Sequence, residues 1–535
     1  MGHLVHQLID AAASRSPDAP AVRFASAHLT YADLFEAAEG VAGALVRGGL
    51  DPDERVAVYL EKRLETVYAL FGTAVAGGVF VPVNPLLKPA QVAYILRDCN
   101  VRVLVTSAPR LEILAPALVE CPDLHTVVIV DNRDEQTTER AQGTYAVAPW
   151  AQWLETNANS PRRPRRIDAD MAAILYTSGS TGQPKGVVLS HRNLVAGAES
   201  VSEYLENTPD DRLLAALPLS FDYGLSQLTT AFRVGASVTL INYLLPRDVV
   251  RAVERDAITG LAAVPPLWIQ LAQLDWPEAA SRSLRYITNS GGAMPGSTLA
   301  ALRERLPDTR IFLMYGLTEA FRSTYLPPEE IDRRPGSMGR AIPNAEVMVL
   351  REDGSPCAVN EPGELVHRGA LVSMGYWNAP EKTAERFKTI PGRASGLPLE
   401  ERAVWSGDTV KSDEEGFLYF VGRRDEMIKT SGYRVSPNEI EEVIYATSLV
   451  GDAAAIGIPH PTLGQAIVVL VSPAADGRAP DTDQLLVHCK QQLPGFMVPT
   501  QILARTGALP RNANGKIDRN ALKQSLLDLF EEDMP

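Results

Sequence analysis

The sequence predicts an α/β protein with a large N-terminal region and a smaller C-terminal domain. Short apolar β-rich runs alternate with helical patterns over the first 155 residues and again in the middle of the chain. Residues 340–425 carry short β-like runs between glycine and proline turns, and residues 425–535 carry a mixed α/β pattern. We therefore expect two doubly wound α/β lobes with largely parallel strands, a small antiparallel β subdomain, and a small α+β C-terminal domain.

The individual elements follow from the spacing of apolar residues. Residues 31–47 have helical spacing, whereas residues 157–166 (NANSPRRPRR) are polar and are predicted to form an exposed connection. The predicted strands are Val56–Leu60, Val79–Val83, Val101–Val105 and Val127–Val130 in the first lobe, and Ser237–Ile241, Tyr286–Asn289 and Ile311–Tyr315 in the second.

Composition excludes several functional classes. The chain has 535 residues, 51 Lys+Arg against 65 Asp+Glu, and a net charge of −14, which argues against nucleic acid or an anionic membrane as the main partner. The four cysteines form no CxxC pair, and the eight histidines show no HExxH spacing, so we expect reduced thiols and no zinc site. We find no targeting segment and no apolar stretch of about 18 residues, and we expect a cytoplasmic protein.

The strongest local signal is a loop suited to phosphate. Residues 176–186 read YTSGSTGQPKG between two apolar runs. The glycines let the backbone approach an anion closely, and the hydroxyl groups and Lys185 supply hydrogen-bond donors. The spacing does not fit a Walker A loop. The sequence therefore predicts a nucleotide-phosphate site of another kind.

This loop resembles the signature of the adenylate-forming superfamily, which includes acyl-CoA synthetases, peptide-synthetase adenylation domains and luciferase. Seven further motifs follow in that superfamily's order: NSGGA (289–293), YGLTE (315–319), GEL (363–365), SGD (406–408), GRRD (422–425), SGYRV (431–435) and NGKID (514–518). The resemblance covers nearly the whole chain. It implies that a carboxylate attacks the α-phosphate of ATP, that pyrophosphate leaves, and that the acyl-adenylate then passes to a thiol.

The resemblance also implies roles for individual residues. In the first half-reaction, Lys516 would bridge the substrate carboxylate and the α-phosphate, Thr318 would contact the α-phosphate, and Glu319 would help to hold Mg²⁺. Lys185 would hold the β- and γ-phosphates. The remaining residues implied to bind ATP are Thr177, Ser178, Gly179, Ser180, Thr181 and Gly182 at the phosphates, Gly291, Gly292, Ala293, Tyr315 and Gly316 at adenine, Asp408 at the ribose, and Arg423 at ribose or phosphate oxygens.

For the second half-reaction, the resemblance implies a swing of the C-terminal domain (425–535) against the N-terminal AMP-binding domain (1–424). Asp425 matches the hinge position. The swing would withdraw Lys516 and bring Gly432 to the site, where it would leave room for a pantetheine arm. The thiol would come from coenzyme A or from the phosphopantetheine of a freestanding carrier protein, because no carrier domain follows in the sequence.

The acid pocket is expected to begin at Phe221 and Asp222, where the chain resembles peptide-synthetase adenylation domains. A buried carboxylate needs a cationic partner, so Asp222 suggests a substrate ammonium, and an inward-pointing Arg322 suggests a polar or acidic substrate end. The opposite interpretation is that Asp222 faces solvent or a helix N-terminus. Further expected pocket residues are Tyr223, Ser226 and Asn289.

We therefore expect an AMP-forming ligase for an amino acid or another polar acid. Two alternatives remain: a fatty or aryl acid CoA synthetase with a structural Asp222, and a non-catalytic nucleotide-binding regulator on the same fold. The layout, including PLSFDYGLSQ (217–226), also resembles acyl-CoA ligases associated with bacterial exosortase systems.

Overall fold

The predicted α/β class is confirmed. The computed structural model describes residues 3–131, 145–155, 164–177, 184–390, 401–423, 426–430, 433–460, 463–474, 477–493, 495–512 and 515–530. Within these ranges the strands form three sheets, two of them in the N-terminal region and one in the C-terminal region. No helix in these ranges has the length and apolar character needed to span a membrane.

The first lobe alternates strands and helices around a mostly parallel sheet. The elements are α1 (Gln7–Arg15), β1 (Pro20–Phe24), β2 (Ala27–Thr30), α2 (Tyr31–Arg47), β3 (Arg55–Tyr59), α3 (Leu64–Val75), β4 (Val79–Pro82), α4 (Pro89–Asp98), β5 (Val101–Thr106), α5 (Ala108–Leu118), β6 (Thr126–Ile129), β7 (Ala146–Pro149), α6 (Trp150–Glu155), β8 (Met171–Thr177) and β9 (Lys185–Ser190). The strands from β8 through β4, β3, β5 and β6 to β7 are parallel, as predicted, and β9 adds to β8 as an antiparallel hairpin.

The second lobe repeats the pattern. The elements are α7 (His191–Tyr204), β10 (Arg212–Ala215), α8 (Asp222–Val234), β11 (Ser237–Leu240), α9 (Pro246–Arg255), β12 (Gly260–Ala263), α10 (Pro265–Leu271), α11 (Glu278–Ser283), β13 (Tyr286–Asn289), α12 (Gly296–Arg305), β14 (Arg310–Tyr315) and β15 (Thr324–Leu326). Its parallel strands run in the order β14-β13-β12-β10-β11. The hairpin of β1 and β2 joins the far edge of this sheet, because β1 pairs with β11 in parallel.

An antiparallel β subdomain continues the second sheet. The elements are β16 (Ser337–Ala341), β17 (Ala345–Leu350), β18 (Gly363–Gly369), β19 (Gly375–Tyr376), α13 (Pro380–Arg386), β20 (Phe387–Thr389), β21 (Arg402–Ser412) and β22 (Leu418–Arg423). The pairing of β15 with β16 joins it to the second lobe. Its strand β19 pairs instead with β9 of the first lobe, so the subdomain connects both sheets.

The C-terminal region has its own sheet and its own apolar core. The elements are β23 (Ile428–Thr430), β24 (Tyr433–Val435), α14 (Pro437–Tyr445), β25 (Ala453–His460), β26 (Gly464–Val471), α15 (Thr482–Gln492), β27 (Gln501–Ala504) and α16 (Arg519–Gln524). The longest pairing in this sheet is the antiparallel one between β25 and β26. Strand β26 also pairs with β23 and β27, and α14 and α16 contact β25.

One apolar core joins the two N-terminal lobes. The rings of Phe71 on α3 and Phe232 on α8 meet edge to face with centroids 5.2 Å apart. Helix α7 lies close to the segment after β14, since a Cβ at Gly197 would collide with the ring of Phe321. This packing fixes the carboxyl ends of β10, β13 and β14 relative to the hairpin of β8 and β9. Among the predicted site residues, Asn289 ends β13 and Tyr315 ends β14.

Candidate active site

The predicted phosphate loop connects two paired strand ends. Thr177 and Lys185 are the last register partners of the antiparallel strands β8 and β9, so the predicted loop joins two neighbouring strand ends. The ammonium nitrogen of Lys185 lies 5.3 Å from the ring centroid of Tyr376. The other predicted loop residues, Ser178, Gly179, Ser180, Thr181 and Gly182, lie outside the described residues.

Glu319 lies in a single 3-10 turn, residues 318–320, that follows β14. The Tyr376 hydroxyl donates a hydrogen bond of 2.6 Å to Glu319 Oε1. Burial, and then the neighbouring Glu319 charge, raise the pKa of Tyr376, so the phenol stays protonated and continues to donate. This hydrogen bond orients the carboxylate of Glu319.

That carboxylate fits a magnesium ion bound together with phosphate. Mg²⁺ is usually held by one or two carboxylates, substrate phosphate oxygens and water. The described part of the chain contains no cluster of three His, Cys, Asp or Glu side chains that could hold a metal by itself. Phosphate would therefore have to supply several of the ligands at Glu319.

Three predicted nucleotide residues lie together beside the subdomain. The Tyr315 hydroxyl donates a hydrogen bond of 2.5 Å to Asp408 Oδ2, and Arg423 Nε lies 3.4 Å from Asp408 Oδ1. Burial raises the pKa of the Asp408 carboxyl, while the charges of Arg423 and Lys516 act against that rise. A carboxylate oriented in this way can accept hydrogen bonds from ribose hydroxyl groups.

The stretch after β13 forms an exposed backbone ledge. It lies across the cleft, by which we mean the space between the predicted nucleotide residues and the predicted acid-pocket residues. Gly291 has a φ of +82°, a left-handed conformation that favours glycine, and Gly292 and Ala293 are also exposed. A Cβ at Gly291 would lie 4.0 Å from Lys516 Cε, so the C-terminal lysine reaches this ledge.

Lys516 is carried on a short turn that is tied to the C-terminal sheet. The Asn512 amide donates to the Lys516 carbonyl over 2.8 Å, and the Gly515 amide donates to the Asn512 carbonyl over 2.9 Å. Arg511 donates from Nη1 to the Gly515 carbonyl over 2.8 Å and from Nη2 to Asp452 over 2.6 Å. The turn is therefore braced against the start of β25.

The electrostatic neighbours of Lys516 are residues of the predicted site. Although Lys516 is solvent-exposed, partial loss of water and the charge of Arg423 lower the pKa of its ammonium group, while Asp408 and Asp222 raise it. The lysine tip is thus within electrostatic range of a predicted ribose residue and a predicted acid-pocket residue, which come from segments more than 100 residues apart.

On the acid side, Asp222 begins α8 and forms an ion pair within the chain. Arg322 Nη1 donates to Asp222 Oδ2 over 2.8 Å, and the two side chains are 2% and 15% exposed. Thr318 also donates to Asp222 Oδ1 over a longer 3.4 Å. The cation that the sequence argument required for Asp222 is therefore available from Arg322.

The guanidinium of Arg322 also lies 4.6 Å from the ring centroid of Tyr223, a cation–π contact. Its Nε and Nη2 atoms are buried and have no hydrogen-bond partner among the described residues, and the same holds for Asn289 Oδ1. Unpaired buried groups of this kind are costly in a folded protein. The acid side of the cleft is therefore a polar environment.

The remaining predicted pocket residues differ in accessibility. Phe221 is half-buried at the start of α8, whereas Tyr223 and Ser226 are buried. The Tyr223 hydroxyl shares a 2.6 Å hydrogen bond with Thr288, and Ser226 makes a weak 3.4 Å contact with Thr230. In these contacts Tyr223 and Ser226 support the wall of the pocket.

Two predicted residues of the second half-reaction, Asp425 and Gly432, lie outside the described residues. The structure brings in three residues that the sequence analysis did not single out: Tyr376 beside Glu319 and Lys185, Arg386 beside Asp408, and Arg511 under the Lys516 turn. Arg511 lies in the same turn-rich stretch as Lys516, which could have indicated it. Tyr376 and Arg386 lie outside the recognised motifs, and the pairing of β19 with β9 and the helix α13 that follows bring them to the site.

Comparisons with known proteins identify the family. Residues 9–377 match the AMP-binding enzyme family, and residues 439–516 match the AMP-binding enzyme C-terminal domain. The chain therefore belongs to the AMP-binding enzyme family, the adenylate-forming superfamily that the ordered motifs resemble.

Relatives include both multidomain synthases and stand-alone ligases. The chain is 31% identical to one of the linear gramicidin synthase proteins of Brevibacillus parabrevis over 97% of its own length, but spans only 10% of that protein. It is 29% identical to a long-chain-fatty-acid–CoA ligase of Salmonella typhimurium, covering 97% of this chain and 93% of the ligase. The crystal structure of ATP-bound MatB from Rhodopseudomonas palustris superposes with a TM-score of 0.85 at 26% identity, covering 99% of this chain and all of that one.

Proposed function

We propose that the protein is an AMP-forming acid–thiol ligase. It activates a carboxylic acid with ATP as an acyl-adenylate, releases pyrophosphate, and transfers the acyl group to a thiol. The acid is an amino acid or another polar acid, and the thiol belongs to coenzyme A or to the phosphopantetheine of a carrier protein.

The observation that carries the proposal is the position of Lys516 in the cleft. Its Cε atom would lie 4.0 Å from a Cβ at Gly291, and the charges of Asp408, on the nucleotide side, and Asp222, on the acid side, both act to raise the pKa of its ammonium group. A cation at that boundary can stabilise the negative charge that develops when a carboxylate attacks the α-phosphate. Family membership and the ATP-bound relative support ATP as the nucleotide.

The polarity of the acid side supports a polar substrate. Asp222, Arg322 and Asn289 line a region in which a long alkyl chain would leave several polar atoms unpaired. The resemblance to gramicidin synthase favours an amino acid. Against that choice, the ion pair with Arg322 means that Asp222 does not need a substrate ammonium group.

That ion pair, together with the fatty-acid ligase relative, favours a second candidate, a fatty or aryl acid CoA ligase with Asp222 in a structural role. Under either candidate we propose Glu319 for Mg²⁺, residues 425–535 as a domain that swings about Asp425, and Gly432 beside the pantetheine arm in the second half-reaction.

An exchange assay tests the proposal. ATP–pyrophosphate exchange is measured with panels of amino acids, hydroxy or dicarboxylic acids, and fatty and aryl acids, followed by thioester formation with and without coenzyme A. Exchange with polar acids supports the first candidate, and exchange only with fatty or aryl acids supports the second. ATP binding without exchange on any acid would instead indicate a non-catalytic nucleotide-binding protein and would overturn the proposal.

A further inference from the structure

Arg386, the last residue of α13, packs against the backbone of the SGD motif. It is half-buried, and its Nη1 atom donates to the Trp405 carbonyl over 3.2 Å. A Cβ at Gly407 would lie 3.0 Å from Arg386 Cζ and nearer still to Nη1. Gly407 also has a φ of +72°, a left-handed conformation that favours glycine. In addition, the absence of a Cβ leaves room for the Arg386 guanidinium. Arg386 is thus held directly beside Asp408.

Helix α13 brings positive charge to the same side of the cleft as Lys185. Lys382 and Arg386 are four residues apart on α13, and therefore on one face of it. The helix packs on β19, where Thr383 accepts a 3.0 Å hydrogen bond from the Tyr376 amide. The Tyr376 ring in turn lies under the Lys185 ammonium group.

The charges of Lys382 and Arg386 act on Lys185. Burial, followed by the charges of Lys382 and Arg386, lowers the pKa of Lys185, while Glu319 and Glu385 act in the opposite direction. Neither Glu319 nor Glu385 forms an ion pair with one of these three cations, and no other carboxylate in the described ranges does so. Adjacent cations repel one another, so this arrangement favours an anionic ligand between them.

We propose that Arg386 is a phosphate-binding residue that contacts the pyrophosphate portion of ATP together with Lys185, with Lys382 adding charge from the same helix face. This role rests on the proposed function, because it assumes that ATP occupies the cleft. A guanidinium group is suited to it because its planar set of N–H donors matches phosphate oxygens.

Calorimetric binding of Mg·ATP, Mg·pyrophosphate and AMP to the full chain tests the inference without any knowledge of the acid. We expect Arg386→Ala to weaken ATP and pyrophosphate binding at least about tenfold and to leave AMP binding within about twofold. Lys388→Ala is the matched control, because Lys388 is an exposed cation two residues further on that lies 5.6 Å from the Trp405 ring centroid. The control should bind all three ligands like the wild type.

An equal loss of ATP and AMP binding would overturn the inference, because Arg386 would then act through Asp408 and the ribose. Unchanged ATP and pyrophosphate binding would overturn it as well. Arg386→Lys keeps the charge and should recover part of the lost affinity, which separates a phosphate contact from a folding defect. Failure of the wild type to bind either ATP or AMP would be a different result and would refute the proposed function itself.

Discussion

The two sides of the cleft handle charge in opposite ways. On the nucleotide side, Lys185 and Arg386 have no carboxylate ion-pair partner within the described ranges, so no direct contact neutralises their charges. On the acid side, the charges of Asp222 and Arg322 neutralise each other over 2.8 Å. The two cations of the first arrangement lack a partner of opposite charge among the described residues, whereas the two charges of the second are balanced without a substrate.

This difference indicates which side determines what the enzyme recognises. A triphosphate is strongly anionic, so unpaired cations provide both affinity and orientation for it. An internally paired acid pocket offers no net charge to attract an acid. Selection of the acid must instead come from the shape of the pocket and from hydrogen bonds between the acid and the buried polar groups.

The largest expected effect is at Lys516, where the two sides meet. Replacing it with alanine removes the cation that stabilises the developing charge, so we expect Lys516→Ala to lower ATP–pyrophosphate exchange by about 100-fold or more. The assay uses whichever acid gives exchange with the wild type. Thioester formation from chemically prepared acyl-adenylate should fall much less, because that step does not require the α-phosphate contact.

Exchange at the wild-type rate in this variant would show that the lysine has no part in the first half-reaction, and the proposed boundary between the two sides would then be wrong. Lys523→Ala is a suitable control, because Lys523 lies on α16 in the last turn of the helix that follows the Lys516 turn.

The nucleotide side could be predicted from sequence because its residues lie in contiguous motifs. YGLTE places Thr318 and Glu319 directly after the end of β14, SGD places Asp408 within β21, and the predicted strand Tyr286–Asn289 has the same bounds as β13. Family membership is confirmed by the family match. The individual site roles, and the resemblance to exosortase-associated ligases, remain predictions.

The acid side could not be predicted in the same way. Asp222 and Arg322 are 100 residues apart, and nothing in either local sequence indicates that they would pair. The pairing of β1 with β11 is a similar case, because it joins the two lobes through residues more than 200 positions apart. Contacts of this kind depend on how the whole chain packs, which local apolar spacing does not encode.

The second prediction tests whether the charges of Asp222 and Arg322 on the acid side balance each other. The Arg322 side chain is buried, and removing it leaves the partly buried carboxylate of Asp222 without its partner. Arg322→Met should therefore lower the free energy of unfolding by about 3 kcal/mol in urea denaturation. The double variant Asp222→Asn/Arg322→Met removes both charges and should recover much of that loss. Additive losses in this cycle would show that the two charges are not coupled.

The smallest expected effect concerns how the C-terminal domain presents its lysine to both sides. Arg511 links the Gly515 carbonyl to Asp452, so Arg511→Ala should loosen the turn that carries Lys516. Misplacing a reacting group by a small distance is costly, and we expect exchange to fall by about tenfold.

Arg505→Ala is the control, because Arg505 is exposed and its side chain makes only a 3.4 Å contact with Ser525. The informative readout is the ratio of the two half-reactions. A loosened turn affects exchange and leaves thioester formation from the prepared adenylate close to the wild-type rate, whereas a general loss of stability lowers both steps together and would contradict a positioning role for Arg511.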